Sequence, residues 1–562
     1  MSIKPLRLTL CILLVLSVAS GCRPDPSSMR VDVVGDGTPL PTYRAQWLPR
    51  RHGPFFSTSG ACGSCHAGLV DENGNDVSID ANWRASIMAN ASRDPYWQAT
   101  VRSEVLDHPA LRSVIEEKCA NCHTPMAQFS AAVSGGESDL LDGGSLDGDH
   151  PDHTFAIDGV SCTVCHQVEE QGLGDPDSFS GGFSVDTERP RGQRLAYGPF
   201  PAVKGPAAVM RGSSGYWPVE GAQTKASELC ATCHTLYTPY VDEQGEVAGT
   251  SPEQVPYLEW QHSHYRETDV CQDCHMPPAE GAVRIASSGG GPPRSPFAQH
   301  RFIGGNTYVL KMLWAFGQEL DVTASSDHFA SKIEQTLEQL QTNTATLVVE
   351  EARLVDSQLS FDVVVRTQTG HKFPTGFPAR RAWLHVTVKD ADGTVVFESG
   401  GFNPDGSILG NENDVDPATY EPHYEEITAA DQVQIYEPIL EDVPGGVTTA
   451  LLRAQGYLKD NRLLPAGFDK ASAGEDFAVY GGATGDASFA GGGDTVRYGI
   501  DVSENQGPFT VSAELLYQSI GYRWAENLRG QDAAEIARFV EAYDALDNVP
   551  VVVAEAGASI GQ

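Results

Sequence analysis

Ten cysteines fall in five copies of one spacing, and that repetition constrains the chain more than any other feature. The copies are CGSCH (Cys62, Cys65, His66), CANCH (Cys119, Cys122, His123), CTVCH (Cys162, Cys165, His166), CATCH (Cys230, Cys233, His234) and CQDCH (Cys271, Cys274, His275). Two thiols three positions apart, followed directly by a histidine, is the attachment pattern of c-type haem. The thiols form thioethers with the two vinyl groups of one porphyrin, and the histidine lies under the iron as its ligand. Ten cysteines in an exported chain could instead form a disulfide framework, but that would not call for a histidine after every pair. Structural zinc needs units that combine into four ligands, and five independent units do not combine that way. The spacing predicts five covalently attached haems, with iron at His66, His123, His166, His234 and His275.

The two remaining cysteines lie upstream. Lys4 and Arg7 precede the apolar run LTLCILLVLSVAS, which holds Cys11 and is too short to span a bilayer stably. The run ends in ASGC, which resembles a lipoprotein lipobox, so Cys22 is expected as the lipidated first residue of an anchored protein. An ordinary signal peptide cleaved nearby is the other reading. Arg23 follows Cys22, and by resemblance to bacterial lipoprotein sorting that points to the outer membrane, facing periplasm or cell surface. The balance of 75 Asp+Glu against 38 Lys+Arg argues against nucleic acid and anionic membrane surfaces as partners.

The pattern divides the chain into a signal peptide (1–21), a tether (22–45), a pentahaem domain of short helices and irregular structure (46–330), a connecting helix (331–342), an antiparallel β-sandwich (343–520) and a C-terminal helix and tail (521–562). The sandwich is read from β-branched alternating runs such as LSFDVVVRTQ and AWLHVTVKDADGTVVFESG. VPVVVAEA could add a last strand. The fold class expected is α+β with several domains.

Each iron has a sixth position, and eleven histidines beyond the five motifs could fill it. Met126 and Met276 follow their own motif histidines too closely to reach the opposite face of the same ring, and read as packing residues. Several segments resemble the hydroxylamine-oxidoreductase-type superfamily of multihaem cytochromes c. WRASIMANASRDPYW is similar to a family helix, W-x-x-S-x-H-A, whose histidine is a distal ligand; Met88 stands at that position here. The resemblance implies a thioether ligand, and a core methionine is the alternative. EWQHSHYRETDVCQDCHMP resembles a second such segment with Tyr265 at the ligand position, and His262 and His264 close by. AQHRFIGGN resembles an element in which the histidine, His300 here, caps a haem. GHKFPTG resembles the family's G-H-x-x-P-T-G turn, whose histidine reaches from a β-domain to a haem, which implies this role for His371. A turn histidine bonded to backbone is the alternative. His153 and His108, each shortly before a haem motif, are further candidates.

The leading expectation is an electron carrier that exchanges electrons with other redox proteins, cytochromes or quinol-side donors, through its haems; no catalytic residue is singled out. The rival is an oxidoreductase acting on a small nitrogen or sulfur compound at one open haem, with Lys372, Arg380 and Arg381 as a cationic cluster. A β-domain that docks a partner protein is a third reading. No C-x-x-C-K motif is present, which favours the carrier.

Overall fold

The computed structural model describes residues 38–136 and 138–561. Cys11 and Cys22, with the signal peptide and most of the tether, lie outside the described residues. The first half is helical with long connections. Helix α1 (Pro95–Asp107) starts where Asp94 accepts the N–H groups of Tyr96 and Trp97, with Pro95 in the first turn. It doubles back into α2 (Arg112–His123), and α3 (Pro125–Ser134) follows, stopped by Gly135 in the left-handed conformation. Two small ribbons come next, parallel β1 (Arg194–Gly198) with β2 (Tyr216–Glu220), and antiparallel β3 (Leu236–Val241) with β4 (Val247–Gln254). Short helix α4 (Pro256–Gln261) precedes the fifth cysteine motif. Helices α5 (Thr307–Ala315) and α6 (Ser326–Thr342) close this half. Helix α6 begins with a reciprocal cap, in which Ser325 Oγ takes the His328 N–H and His328 Nδ1 takes the Ser325 N–H.

From Ala345 the pattern turns to period two. Strands β5 (Ala345–Val355) and β6 (Gln358–Thr367) form a hairpin whose two turn residues, Asp356 and Ser357, both have positive φ, as a type I′ turn requires. The remaining strands are β7 (Arg381–Lys389), β8 (Val395–Ser399), β9 (Glu426–Ile427), β10 (Ile435–Tyr436), β11 (Pro438–Asp442), β12 (Val447–Thr448), β13 (Ala454–Asp460), β14 (Gly493–Asp501), β15 (Phe509–Gln518) and, after helix α7 (Ala534–Ala545), β16 (Val551–Ile560). One sheet runs β8-β7-β15-β16 with β10 also on β7; another runs β9-β14-β6-β5; a smaller one runs β12-β11-β13. The inward side chains of the two larger sheets meet in one core, with Phe361 and Val363 of β6 and Tyr498 of β14 packed with Val386 of β7 and Leu515 of β15.

The stretch after 520 does return as a strand over VPVVVAEA and beyond, where β16 pairs with β15 along almost its whole length. One expectation needs correction here. The closing helix is broken, with one turn at Tyr522–Glu526 separated from α7. A second core joins the halves: Tyr96 of α1, Leu313 of α5, Phe329 of α6 and Phe539 of α7 share it. Among the described residues no helix is long and apolar enough to cross a membrane.

Candidate haem-binding site

All five cysteine motifs lie on or beside a helical turn: Gly60–Gly63, the end of α2, Cys162–Cys165, Ser227–His234 and Cys271–His275. Residues three and four apart share one face of a helix, so each turn presents two thiols and an imidazole to the same side.

The histidines are aimed by their second nitrogen. His66 Nδ1 bonds the Ile285 carbonyl at 2.5 Å, His123 Nδ1 the Ala91 carbonyl at 2.9 Å, and His166 Nδ1 the Tyr197 carbonyl at 2.5 Å. His275 Nδ1 bonds the Ile303 carbonyl. Such a bond places the proton on Nδ1, orients the ring and leaves the Nε2 lone pair free for a metal. Burial also keeps these rings neutral. It pushes His123 down to about 4, and His234 down to about 4, where closeness to the ionisable His275 and to Arg380 further disfavours a positive ring. A neutral imidazole is the ligating form. Trp97 stacks on the His123 ring at 4.4 Å, and that contact holds it between α1 and α2.

Two of the motif histidines face a second histidine. The rings of His166 and His300 lie 6.3 Å apart and 22° from parallel; those of His275 and His371 lie 6.2 Å apart and 12° from parallel. Two imidazoles bound to one metal from opposite sides, each at about 2 Å, have ring centres about 6 Å apart. His371 Nδ1 bonds the Lys372 carbonyl at 2.9 Å, the same orienting bond. Burial pushes His300 down to about 3, the neighbouring His166 and His66 charges adding to it. The residues present therefore fit a haem iron held between each pair, with the thiols of the same motif to anchor the porphyrin.

The thiols also bring motifs together out of chain order. Cys62 lies within hydrogen-bonding reach of Cys162, Cys122 of Cys233, and Cys230 of Cys271. The first motif thus adjoins the third, and the fourth adjoins both the second and the fifth. Cys274 is exposed, whereas the other nine are partly shielded. Partial burial, with Asp269 and Asp273 standing beside it, pushes the Cys274 thiol up.

The other candidates lie elsewhere. The helix holding Trp83 stops at Arg84, because Asn90 Nδ2 donates to the Arg84 and Ser86 carbonyls and draws the chain into a turn. Met88 is in that turn, partly buried, and its carbonyl takes the Val160 N–H. His153 opens a short helix with Nδ1 3.2 Å from the Ser145 carbonyl. His108 lies at the bend between α1 and α2, at the opposite end of that hairpin from the Trp97–His123 stack, with Nε2 buried and unbonded. Tyr265, His262 and His264 all contact the β-domain. Tyr265 donates to the Gln368 carbonyl, His262 Nε2 bonds the Asp469 carbonyl, and the His264 ring packs on Gly467.

The cationic cluster dissolves on inspection. Lys372 is fully buried on Asp460 at 2.7 Å, and Arg381 is buried on Asp414 at 2.8 Å. Removing one partner from such a pair costs about 3–5 kcal/mol, so neither cation is free for a substrate. Arg380 alone is left, with one hydrogen bond, to the Thr375 carbonyl at 2.6 Å. Sequence reasoning missed this ion-pair network because each carboxylate sits many residues away from its cation.

No protein-family model and no curated protein matches this chain. A solved penta-heme cytochrome c552 from Thermochromatium tepidum is similar in structure, with a TM-score of 0.49 and 16% sequence identity, over 90% of this chain and 100% of that one. A likeness at that level says nothing of what binds here; the side chains do.

Proposed function

We propose that the chain is a pentahaem cytochrome c of the hydroxylamine-oxidoreductase-like kind, exported, lipid-anchored at Cys22 to the outer membrane and facing the periplasm or the cell surface, that carries electrons between other redox proteins. Its second domain, a β-sandwich, reaches over the haem domain to complete one site. The facing histidine pairs carry this reading: a separation that suits one iron, with Nδ1 of three of the four rings on backbone carbonyls, has no simpler use. Haem supplies one-electron ferric–ferrous chemistry when bound. The chain supplies the rest. Cys162, Cys165, Cys271 and Cys274 would anchor haem, with His166 and His300 as the ligands of one site and His275 and His371 of another. A metal held by two histidines would have no position left for a substrate, which suits transfer rather than catalysis. The touching sulfurs would set the first site against the third, and the fourth against both the second and the fifth, close enough for electrons to pass between the members of each group. The exposed fifth motif, with Asp269 and Asp273 beside it, is the contact point for a partner that presents cations.

The oxidoreductase reading keeps one observation in its favour. Arg380 makes no ion pair within 4 Å among the described residues and lies close enough to His234 to depress its pKa. A carbon monoxide difference spectrum of the reduced protein, with haem content measured alongside, separates the two. No spectral change supports a carrier with every iron strongly six-coordinate. A shift from one haem in the set would sink the pure-carrier account, and loss of that shift in Arg380→Met would place the open site at His234.

A further inference from the structure

One buried carboxylate faces the turn that carries His371 from the opposite half of the molecule. Glu259, on α4, accepts the Lys372 N–H at 3.1 Å and the Thr375 hydroxyl at 2.6 Å on Oε2, and Arg462 Nη1 lies 2.9 Å from its Oε1. Asp460 holds the same arginine through Nε at 2.9 Å and Nη2 at 2.7 Å, and holds Lys372 Nζ at 2.7 Å. Two cations and two carboxylates close the cluster without net charge, and none is more than 4% exposed. Lys372, Asp460 and Arg462 belong to the β-domain. Glu259 belongs to the haem half, and the chain runs from it through one further turn of helix to Cys271 and His275.

Apolar packing would suffice to join two domains; buried ion pairs often add little to stability over it. What a carboxylate adds is direction. Its Oε2 takes donors from both sides of Phe373-Pro374, so the turn has one seat, and His371 projects from that seat towards His275. Tyr265, donating to the Gln368 carbonyl at 2.9 Å, holds the other end of the turn.

We propose that Glu259 is a positioning residue for the axial pair of the fifth haem, which fixes the reach of His371 to the iron of His275. This rests on the reading that His275 and His371 bind one iron, and the test keeps the two apart. Carbon monoxide binding to the reduced, haem-loaded protein is measured for the parent, His371→Gly, Glu259→Ala, Glu259→Gln and Thr375→Val, with and without added imidazole. His371→Gly should gain one carbon monoxide-binding haem over the parent and lose it again in imidazole. Glu259→Ala should gain a large part of the same signal, also reversed by imidazole. Thr375→Val, which removes one bond and leaves the charges in place, should gain a smaller part, and Glu259→Gln, which keeps an acceptor, should stay near the parent. If His371→Gly gains nothing, the ligand pair itself is wrong. If it gains the signal while Glu259→Ala and Thr375→Val stay at the parent level, Glu259 is only a structural contact and the inference fails. Should Glu259→Ala not fold, Thr375→Val decides.

Discussion

At the scale of single residues, the proton on an imidazole sorts the histidines. Ligation through Nε2 requires the proton on Nδ1, given to an acceptor, and His66, His123, His153, His166, His275 and His371 all face a backbone carbonyl with Nδ1. His150 and His328 accept backbone N–H groups at Nδ1 instead. His423 is the instructive case, because with Asp486 and Asp494 it forms a three-residue cluster of metal-binding type. Its Nδ1 accepts amide N–H groups from Gln434 and Asn461, whose orientations are set by the N–H groups of Tyr424 and Glu437. Nε2 therefore bears the proton and donates it to Asp486 at 3.0 Å, and the cluster is a hydrogen-bond network rather than a metal site. Asp494 in it is pushed up to about 7, chiefly by burial. A carboxyl raised in the folded state contributes stability that is fully present below its ordinary pKa of 3.8 and is lost as pH rises through about 7. Three pK units correspond to about 4 kcal/mol. Urea unfolding at pH 5 and pH 8 should show the parent losing a few kcal/mol more than Asp494→Asn over that interval; equal losses would mean Asp494 is ionised throughout.

At the scale of elements, alternation of apolar and polar residues announced strands such as β6 and β7, whereas helix ends were less legible. The segment from Trp83 to Trp97 reads as one helix, but Asn90 spends its amide on carbonyls and splits it into a short helix, a turn and α1. The C-terminal amphipathic run likewise shows an apolar face without showing what covers it. The structure puts α7 on α1: Phe539 packs on Tyr96 at 5.1 Å, and Glu535 pairs with Arg102 at 2.9 Å. A helix from the end of the chain thus covers the first half. Phe539 is fully buried, so Phe539→Ala should cost about 3–5 kcal/mol in denaturant unfolding. A cost under about 1 kcal/mol, the range of surface changes, would mean the helix is not docked.

At the scale of the whole molecule, the two halves share a core, the Glu259 cluster and, at the far end of α1, Glu104 on the N–H groups of Leu451 and Leu452. Halves joined this way should unfold together. Thermal unfolding followed at the haem absorption and in the far ultraviolet should give one coincident transition; two separated transitions would mean that the interface contributes little. By itself the sequence determined the chemistry of attachment, because two thiols and an imidazole within five consecutive residues need only a turn of helix to face one way. It could name His300 and His371 as candidates, but not say which motif histidine each would face. That was decided only by tertiary structure, in which His166 meets His300 and His275 meets His371. The position of an opposite ligand depends on which surfaces bury each other, and local spacing carries no record of that.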